Sequence, residues 1–228
     1  MGRLAVILGS NALGPGGEEI AAAAAAQGAA IVQRHNSAEG TFVLPHLIDH
    51  EANLRPLLEQ GCDRVLAIGS VGSLRPDELD VGALVCPDDF IALNGGDSIF
   101  GDERAHSAPR FEPRWRAEVI EAWSEGGQAP RDGGVYWQAR GPRFETPAEI
   151  RLMAAHAEVV GMTIASECVV AGELGLDYAA LCVVDNLANG LSAEEVSTVG
   201  MAADRVINAE RLREGLAAVL PRLGAVGR

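Results

Sequence analysis

The chain contains no lysine: all 18 of its cations are arginines, set against 32 acidic residues for a formal net charge of −14. Without lysine no Walker-type phosphate loop can form, because that motif needs a Lys to reach the outer phosphates. No run of arginines interrupts the acidic background, which argues against nonspecific nucleic-acid binding. Where an Arg gathers with Ser, Thr or His against that background, a local anion site is expected. The four cysteines (Cys62, Cys86, Cys168, Cys182) form no CxxC pair, and no His/Cys spacing fits a structural zinc site, so they read as buried free thiols. Long apolar runs are missing too. The opening MGRLAVILGSN is too short for a signal h-region, and Ala21 to Ala26, between two glutamates and Gln27, reads as an Ala-rich helix and not a span. The expectation is a soluble, cytoplasmic protein with no membrane or nucleic-acid partner. Neither repeat nor linker is evident in the 228 residues, 48% of them hydrophobic, so a single globular domain over 1–228 is expected.

The most informative stretch is Gly141-Pro142-Arg143-Phe144-Glu145-Thr146-Pro147-Ala148-Glu149, followed by Val160-Gly161-Met162-Thr163. Gly141 and Pro142 are turn residues. Thr146 with Pro147 and Glu149 spells a helix start with a capping box. Phe144 and Glu145 then sit just before the helix, where a loop presents side chains to a ligand. A flat heterocycle with N–H donors suits them: Phe144 stacks and Glu145 accepts. The plainer alternative makes Phe144 core and Glu145 a solvated turn residue.

Short apolar strands alternate with helices along the chain. Strands are predicted at Leu4 to Leu8, Ala30 to Gln33, Arg64 to Ile68, Ala83 to Val85, Gly134 to Ala139, Val159-Val160 and Ala179 to Val184. Helices are predicted at Glu18 to Gln27, Asp49 to Glu59 (Leu54, Leu57 and Leu58 on one face), Arg116 to Ser124, Pro147 to Ala157, Ser166 to Leu174 and Val199 to Val219. Residues 94 to 114 read as a long surface loop. The class is α/β with a central, mostly parallel (mixed) twisted sheet flanked by helices. Polar residues gather where strands end: Ser10-Asn11, Arg34-His35, Gly69-Ser70, Met162-Thr163 and Asp185-Asn186. Ligands of open α/β sheets bind at such ends, so these segments are expected to converge. Ser10 or Asn11 with Arg34, His35, Ser70 and Thr163 suits a phosphate. Asn186, able to donate and accept, with Glu145 suits a 6-oxopurine, whose N1–H a carboxylate accepts.

These motifs resemble the trimeric purine nucleoside phosphorylase and 5′-methylthioadenosine phosphorylase family over most of the chain, to about Asn186. The likeness rests on Gly141 to Glu149, Gly161-Met162-Thr163 with Glu167, Cys62 to Leu74 ending Val-Gly-Ser-Leu, Arg34-His35, and Asn53 in His50-Glu-Ala-Asn53. The resemblance implies a phosphorylase/hydrolase-like fold, a homotrimer, and a pentosyltransferase that cleaves purine nucleosides with inorganic phosphate as co-substrate, without metal or cofactor. It puts phosphate near Ser10/Asn11, Arg34, His35, Ser70 and Thr163. It puts the base at Phe144, Glu145 and Asn186, the latter two stabilising the leaving purine. It puts the ribose at Met162 and His50, with His106 reaching in from a neighbouring subunit. Asn186 and Glu145 follow the 6-oxopurine pattern; His46 in Leu-Pro-His46 and the absence of histidine after His156 favour the methylthio-nucleoside branch, with Val196, Val199 or Met201 facing the 5′ group. Inosine, guanosine and 5′-methylthioinosine are the expected substrates. Asn11, Gly69, Asp185 and Ile164-Ala165-Ser166 depart from the family pattern. They keep open 5′-methylthioadenosine phosphorolysis, a phosphate-independent nucleosidase and a non-catalytic purine-binding relative.

Overall fold

A computed structural model describes residues 2–9, 17–36, 40–93, 98–192 and 202–225. Within them, β1 (Arg3–Leu8), β2 (Ala30–Gln33), β3 (Cys62–Ser73), β4 (Leu84–Cys86), β5 (Asp89–Ile91), β6 (Arg131–Asp132), β7 (Val135–Gln138), β8 (Val159–Gly161) and β9 (Asp177–Leu187) join in one sheet. The helices are α1 (Gly17–Ala26), α2 (His50–Glu59), α3 (Pro113–Glu125), α4 (Pro147–Ala154), α5 (Ile164–Glu173) and α6 (Ala202–Ala225). β3 pairs antiparallel with β8, and β4 with β9; the other described pairings are parallel. The mixed α/β sheet expected from the alternation is therefore present.

Alternation along the central strands divides the core. Leu4, Val6, Leu66, Ile68, Leu181 and Val183 face one side, packed with Ile20 of α1, Trp115 and Trp123 of α3 and Leu216 and Leu220 of α6. Ala5, Ile7, Val65, Ala67, Ala180 and Cys182 face the other, packed with Leu54 and Leu57 of α2 and Ile164 and Cys168 of α5. A third cluster, including Trp137, Ile150, Met153 and Val160, gathers around α4. All four cysteines are buried and free.

Several boundaries differ from the sequence reading. β3 does not close at Ile68 but runs through Gly69 to Ser73, and β9 runs through Asp185 and Asn186 to Leu187. The glycines in β3 reflect close approach by neighbours and not chain reversal: a Cβ on Gly69 would lie 3.2 Å from Ile164 Cδ1 of α5, and one on Gly72 3.2 Å from Val160 Cγ1 of β8. α5 begins at Ile164, two residues early, and α4 ends at Ala154, three residues short. Leu58 is exposed while Leu54 and Leu57 are buried. β5 and β6 were too short to show a period. The described part of the expected long loop is not wholly superficial. Phe111 is buried, edge-on to Phe90 and stacked on Tyr178. Residues 94–97 lie outside the described residues, as does the expected start of the last helix, which continues to Ala225.

Candidate active site

The sheet leaves a notch. β1 follows the edge of β3 as far as Ile68, and β8 joins that same edge at Gly72. Gly69, Ser70 and Val71 thus have β9 on one side and, among the described residues, no strand on the other. A gap beside the carboxyl ends of parallel strands is where α/β folds hold ligands.

Arg34, the first residue after β2, lies beneath this notch and is almost fully buried. Its Nε and Nη2 donate to the two oxygens of Glu167 at 2.7 and 2.8 Å, and Nη1 donates to the Ile68 carbonyl at 2.9 Å. Tyr178 Oη adds a bond to Glu167 at 2.6 Å, and His50 Nδ1 lies 3.9 Å from the same carboxylate. Burial opposes the charge on Glu167, but Arg34 with His50 and Tyr178 outweighs it and holds the carboxyl below its usual range. Burial likewise opposes the charge on Arg34, and Glu167 outweighs it, so the guanidinium is held more firmly charged than usual. This pair is first a pillar joining β2, β3 and α5; only the remaining N–H groups of Arg34 are open to an anion.

Thr163 caps α5 at the notch, and its hydroxyl makes no capping bond. The helix N-terminus is already occupied. Tyr136 Oη accepts from the N–H groups of Thr163 and Ile164 (3.2 and 3.4 Å), and Gln138 Oε1 from those of Ala165 and Ser166 (2.8 and 3.0 Å). An anion here is met by side chains rather than by free helix amides. His35 is buried, stacked on Phe42, with Nδ1 2.9 Å from the Val43 carbonyl. Burial lowers its pKa, the Val43 carbonyl opposes and the Arg34 charge adds to the drop. The neutral ring therefore donates from Nδ1 and offers Nε2 as an acceptor. Ser70 donates its hydroxyl proton to Asp185, whose other oxygen accepts from Asn208 of α6 at 2.9 Å. Ser10 and Asn11 lie outside the described residues.

The base side is built on the loop before α4. The capping box is present: Thr146 and Glu149 bond reciprocally, and Arg143 grips Glu149 through two bonds of 2.8 and 2.7 Å. On this frame the plainer reading of the loop inverts. Phe144 is partly open, 37% exposed, and Glu145 is buried, 8% exposed. Burial pushes the Glu145 carboxyl above its usual range; its own backbone N–H and Arg143 oppose, and the Glu149 charge adds to the rise. Asn186 stands on β9 opposite Gly72, just past the irregularity in the β3–β9 register. One hydrogen of its amide goes to the Leu187 carbonyl at 2.8 Å, leaving one N–H and the carbonyl oxygen for a ligand. Met162, half-buried on the third cluster, lies under the loop. Gly141 adopts φ +65°, and a Cβ there would sit 2.6 Å from Met162 Sδ.

The structure thus joins Arg34 and His50 through Glu167, places Ser70 beside the strand carrying Asn186, and sets Glu145 and Phe144 on one rigid loop. His106 stands on a different segment, between β5 and α3. It is exposed, and the start of its segment is anchored by Ser98 and Ile99 to Glu173, at the opposite end of α5 from Thr163. Val196, Val199 and Met201 lie outside the described residues. Sequence reasoning gave no role to Tyr136, Gln138, Tyr178 or Asn189. The one available signal was Glu167 itself, an acid within an otherwise apolar helix, which demands a buried cation. Among the described residues no cluster of His, Cys, Asp and Glu could hold a metal, and no helix is long and apolar enough to cross a membrane.

Comparison with known proteins identifies the family and the fold. The sequence model of the Phosphorylase superfamily matches residues 15–222. A protein of Archaeoglobus fulgidus described as "Probable 6-oxopurine nucleoside phosphorylase" is 40% identical over 168 residues, covering 73% of this chain and 68% of that protein. One of Methanothermobacter thermautotrophicus, "Probable S-methyl-5'-thioinosine phosphorylase", is 37% identical over 170 residues, covering 74% of this chain and 59% of that protein. The chain's match therefore spans less than two thirds of the second relative's length. Among solved structures, methylthioadenosine phosphorylase from Schistosoma mansoni in complex with adenine shares the fold, with a TM-score of 0.80 at 20% identity, covering 99% of this chain and 93% of that one.

Proposed function

The chain belongs to the phosphorylase superfamily, and from that premise we propose that it cleaves purine nucleosides with inorganic phosphate, releasing the free base and a ribose 1-phosphate, with 6-oxopurines preferred. The observation that carries this reading is the Glu145 carboxylate: buried, raised in pKa, and on a loop bonded to the segment that follows Asn186. A carboxylate in that setting is matched by a ring N1–H, which 6-oxopurines have and 6-aminopurines lack. The names of the relatives support the same base class.

In the reaction a phosphate oxygen attacks C1′ as the C1′–N9 bond breaks, and the electron pair of that bond leaves with the purine. The sugar passes through an oxocarbenium-like state. Glu145 and Asn186 hydrogen-bond the base as it gains negative charge. Phosphate, held by Thr163, the open N–H groups of Arg34 and the loop of Ser10 and Asn11, offsets the positive sugar, and His35 Nε2 accepts the hydrogen of a protonated phosphate oxygen. Ser70, whose proton goes to Asp185, serves as an acceptor there. Met162 and His50 border the ribose. Preorganised donors supply the rate, with no covalent intermediate and no metal or cofactor. This reading includes a homotrimer, in which His106 reaches a neighbour's ribose, and a cytoplasmic role in purine salvage. Both follow the family resemblance.

A second reading, a phosphate-independent nucleosidase, draws on the Ser70–Asp185 bond, since a carboxylate beside the anion site opposes a phosphate dianion. One assay separates the two. Base release is measured from inosine, guanosine, adenosine, methylthioadenosine and methylthioinosine, each with and without phosphate. Phosphate-dependent release of hypoxanthine or guanine is expected. Release without phosphate supports the nucleosidase, and a methylthioadenosine preference moves the protein to the aminopurine branch.

A further inference from the structure

The peptide unit joining Glu145 to Thr146 is held at both ends. Its N–H donates to Glu149 Oε2 at 2.7 Å, within the capping box. Its carbonyl accepts from Asn189 Nδ2 at 2.9 Å, and Asn189 lies three residues beyond Asn186 on the segment leaving β9. That segment is itself fixed. Ala188 is buried and its N–H donates to the Ser73 carbonyl at 2.9 Å. Gly190 takes φ +85° and packs so closely that a Cβ would lie 2.8 Å from Pro147 Cβ. The chain after Asn186 therefore presses onto the start of α4, and Asn189 is the polar tie between them.

We propose that Asn189 is a positioning residue that sets base specificity: it locks the spacing between Glu145 and Asn186, which would read the same purine from two sides. The inference rests on the purine-nucleoside reading above. Its reasoning is geometric. Glu145 has its carboxylate buried and its backbone pinned, so its direction is fixed by the 145–146 peptide. Loss of the Asn189 bond leaves that carbonyl without its partner and the peptide held at its N–H end alone, so it can tilt about the Glu149 bond. An error of about 1 Å at such a position is enough to cost a large share of rate or affinity.

The test uses the full chain with Asn189→Ala and Asn189→Asp. The second is isosteric but has no hydrogen to give to a carbonyl. Both are expected to raise KM for inosine about tenfold, the effect of one well-placed hydrogen bond. Both should lower the inosine-to-adenosine ratio of kcat/KM while leaving KM for phosphate within about twofold. Asn189→Asp, of the same size as Asn, keeps the comparison readable if the alanine variant fails to fold. Hypoxanthine and adenine binding, measured by calorimetry, gives the same ratio without turnover. If the wild type prefers oxopurines and the variants keep both KM and preference, the positioning role is wrong and the proposed function stands. Equal losses toward phosphate and nucleoside also overturn it, because they mark a merely structural residue. A wild type that neither cleaves nucleosides nor binds hypoxanthine removes the functional reading, and this inference with it.

Discussion

Replacing Glu167 by Gln should destabilise the protein strongly. The carboxylate receives two bonds from Arg34, at 2.7 and 2.8 Å, and one from Tyr178 at 2.6 Å, and both charged side chains are 1% exposed. Glutamine preserves the shape but leaves the guanidinium charged in a dry site. Breaking a buried pair from one side costs about 3–5 kcal/mol. At about 2–4 °C per kcal/mol for a chain of this length, the midpoint of thermal unfolding should fall by roughly 6–20 °C. Urea unfolding at pH 7 gives the free energy directly. A paired change, Arg34→Met with Glu167→Leu, removes both charges and should recover much of the loss, because a well-packed apolar pair is often as stable as a buried ion pair. The pH dependence has a definite sign. Glu167 is held below its ordinary pKa, so its contribution is complete above about pH 4.3 and is lost as pH falls through the lower folded value. A single variant within about 1 kcal/mol of wild type, or a double variant less stable than the single, would refute the view of this pair as a structural pillar. Activity is a separate readout: the double variant should be folded and inactive, since Arg34 also faces the anion site.

Asn186→Asp should shift preference toward 6-aminopurine nucleosides, because an acceptor replaces the amide donor; retained oxopurine preference in the base-release assay would overturn the base assignment. Glu145 must be ionised to accept a ring N–H, and its pKa is raised by burial. KM for inosine should therefore begin to climb at a higher pH than an ordinary carboxylate predicts, and Glu145→Gln should flatten that limb of the profile. The stability sign is opposite to that of Glu167: the raised pKa makes ionised Glu145 unfavourable as pH rises through its folded value, so Glu145→Gln should be no less stable than wild type at pH 7 by urea unfolding. Gly141→Ala combines φ +65° with a Cβ 2.6 Å from Met162 Sδ. It should cost about 1–3 kcal/mol in unfolding free energy and weaken nucleoside binding by displacing Met162.

The fold class was legible because strand-length apolar runs alternate with amphipathic helices, and that periodicity survives in the two faces of the sheet. The start of α4 was legible to the residue, since Thr146, Pro147 and Glu149 act through purely local bonds. The lengths of β3 and β9 were not. Gly69-Ser70 and Asp185-Asn186 look like strand ends in composition, but the pairing partner that extends them is more than a hundred residues away. The occupied helix terminus was hidden for the same reason: Tyr136 and Gln138 lie on β7, and nothing local ties them to the amides of α5. Arg34 could be read as an anion ligand from its neighbours in sequence, whereas its main partner, Glu167, is 133 positions away.

The β3–β9 ladder, registered from Arg64↔Asp177 to Ser73↔Leu187, carries Ser70 and Asn186 on the same strands that hold the centre of the core. Amide exchange along this floor should therefore require global unfolding. Variation then has two separate routes. Changes in the floor are felt first as lost stability. Changes in the overlying loops alter which base is held without loosening the sheet, so divergence in substrate preference is expected to accumulate there.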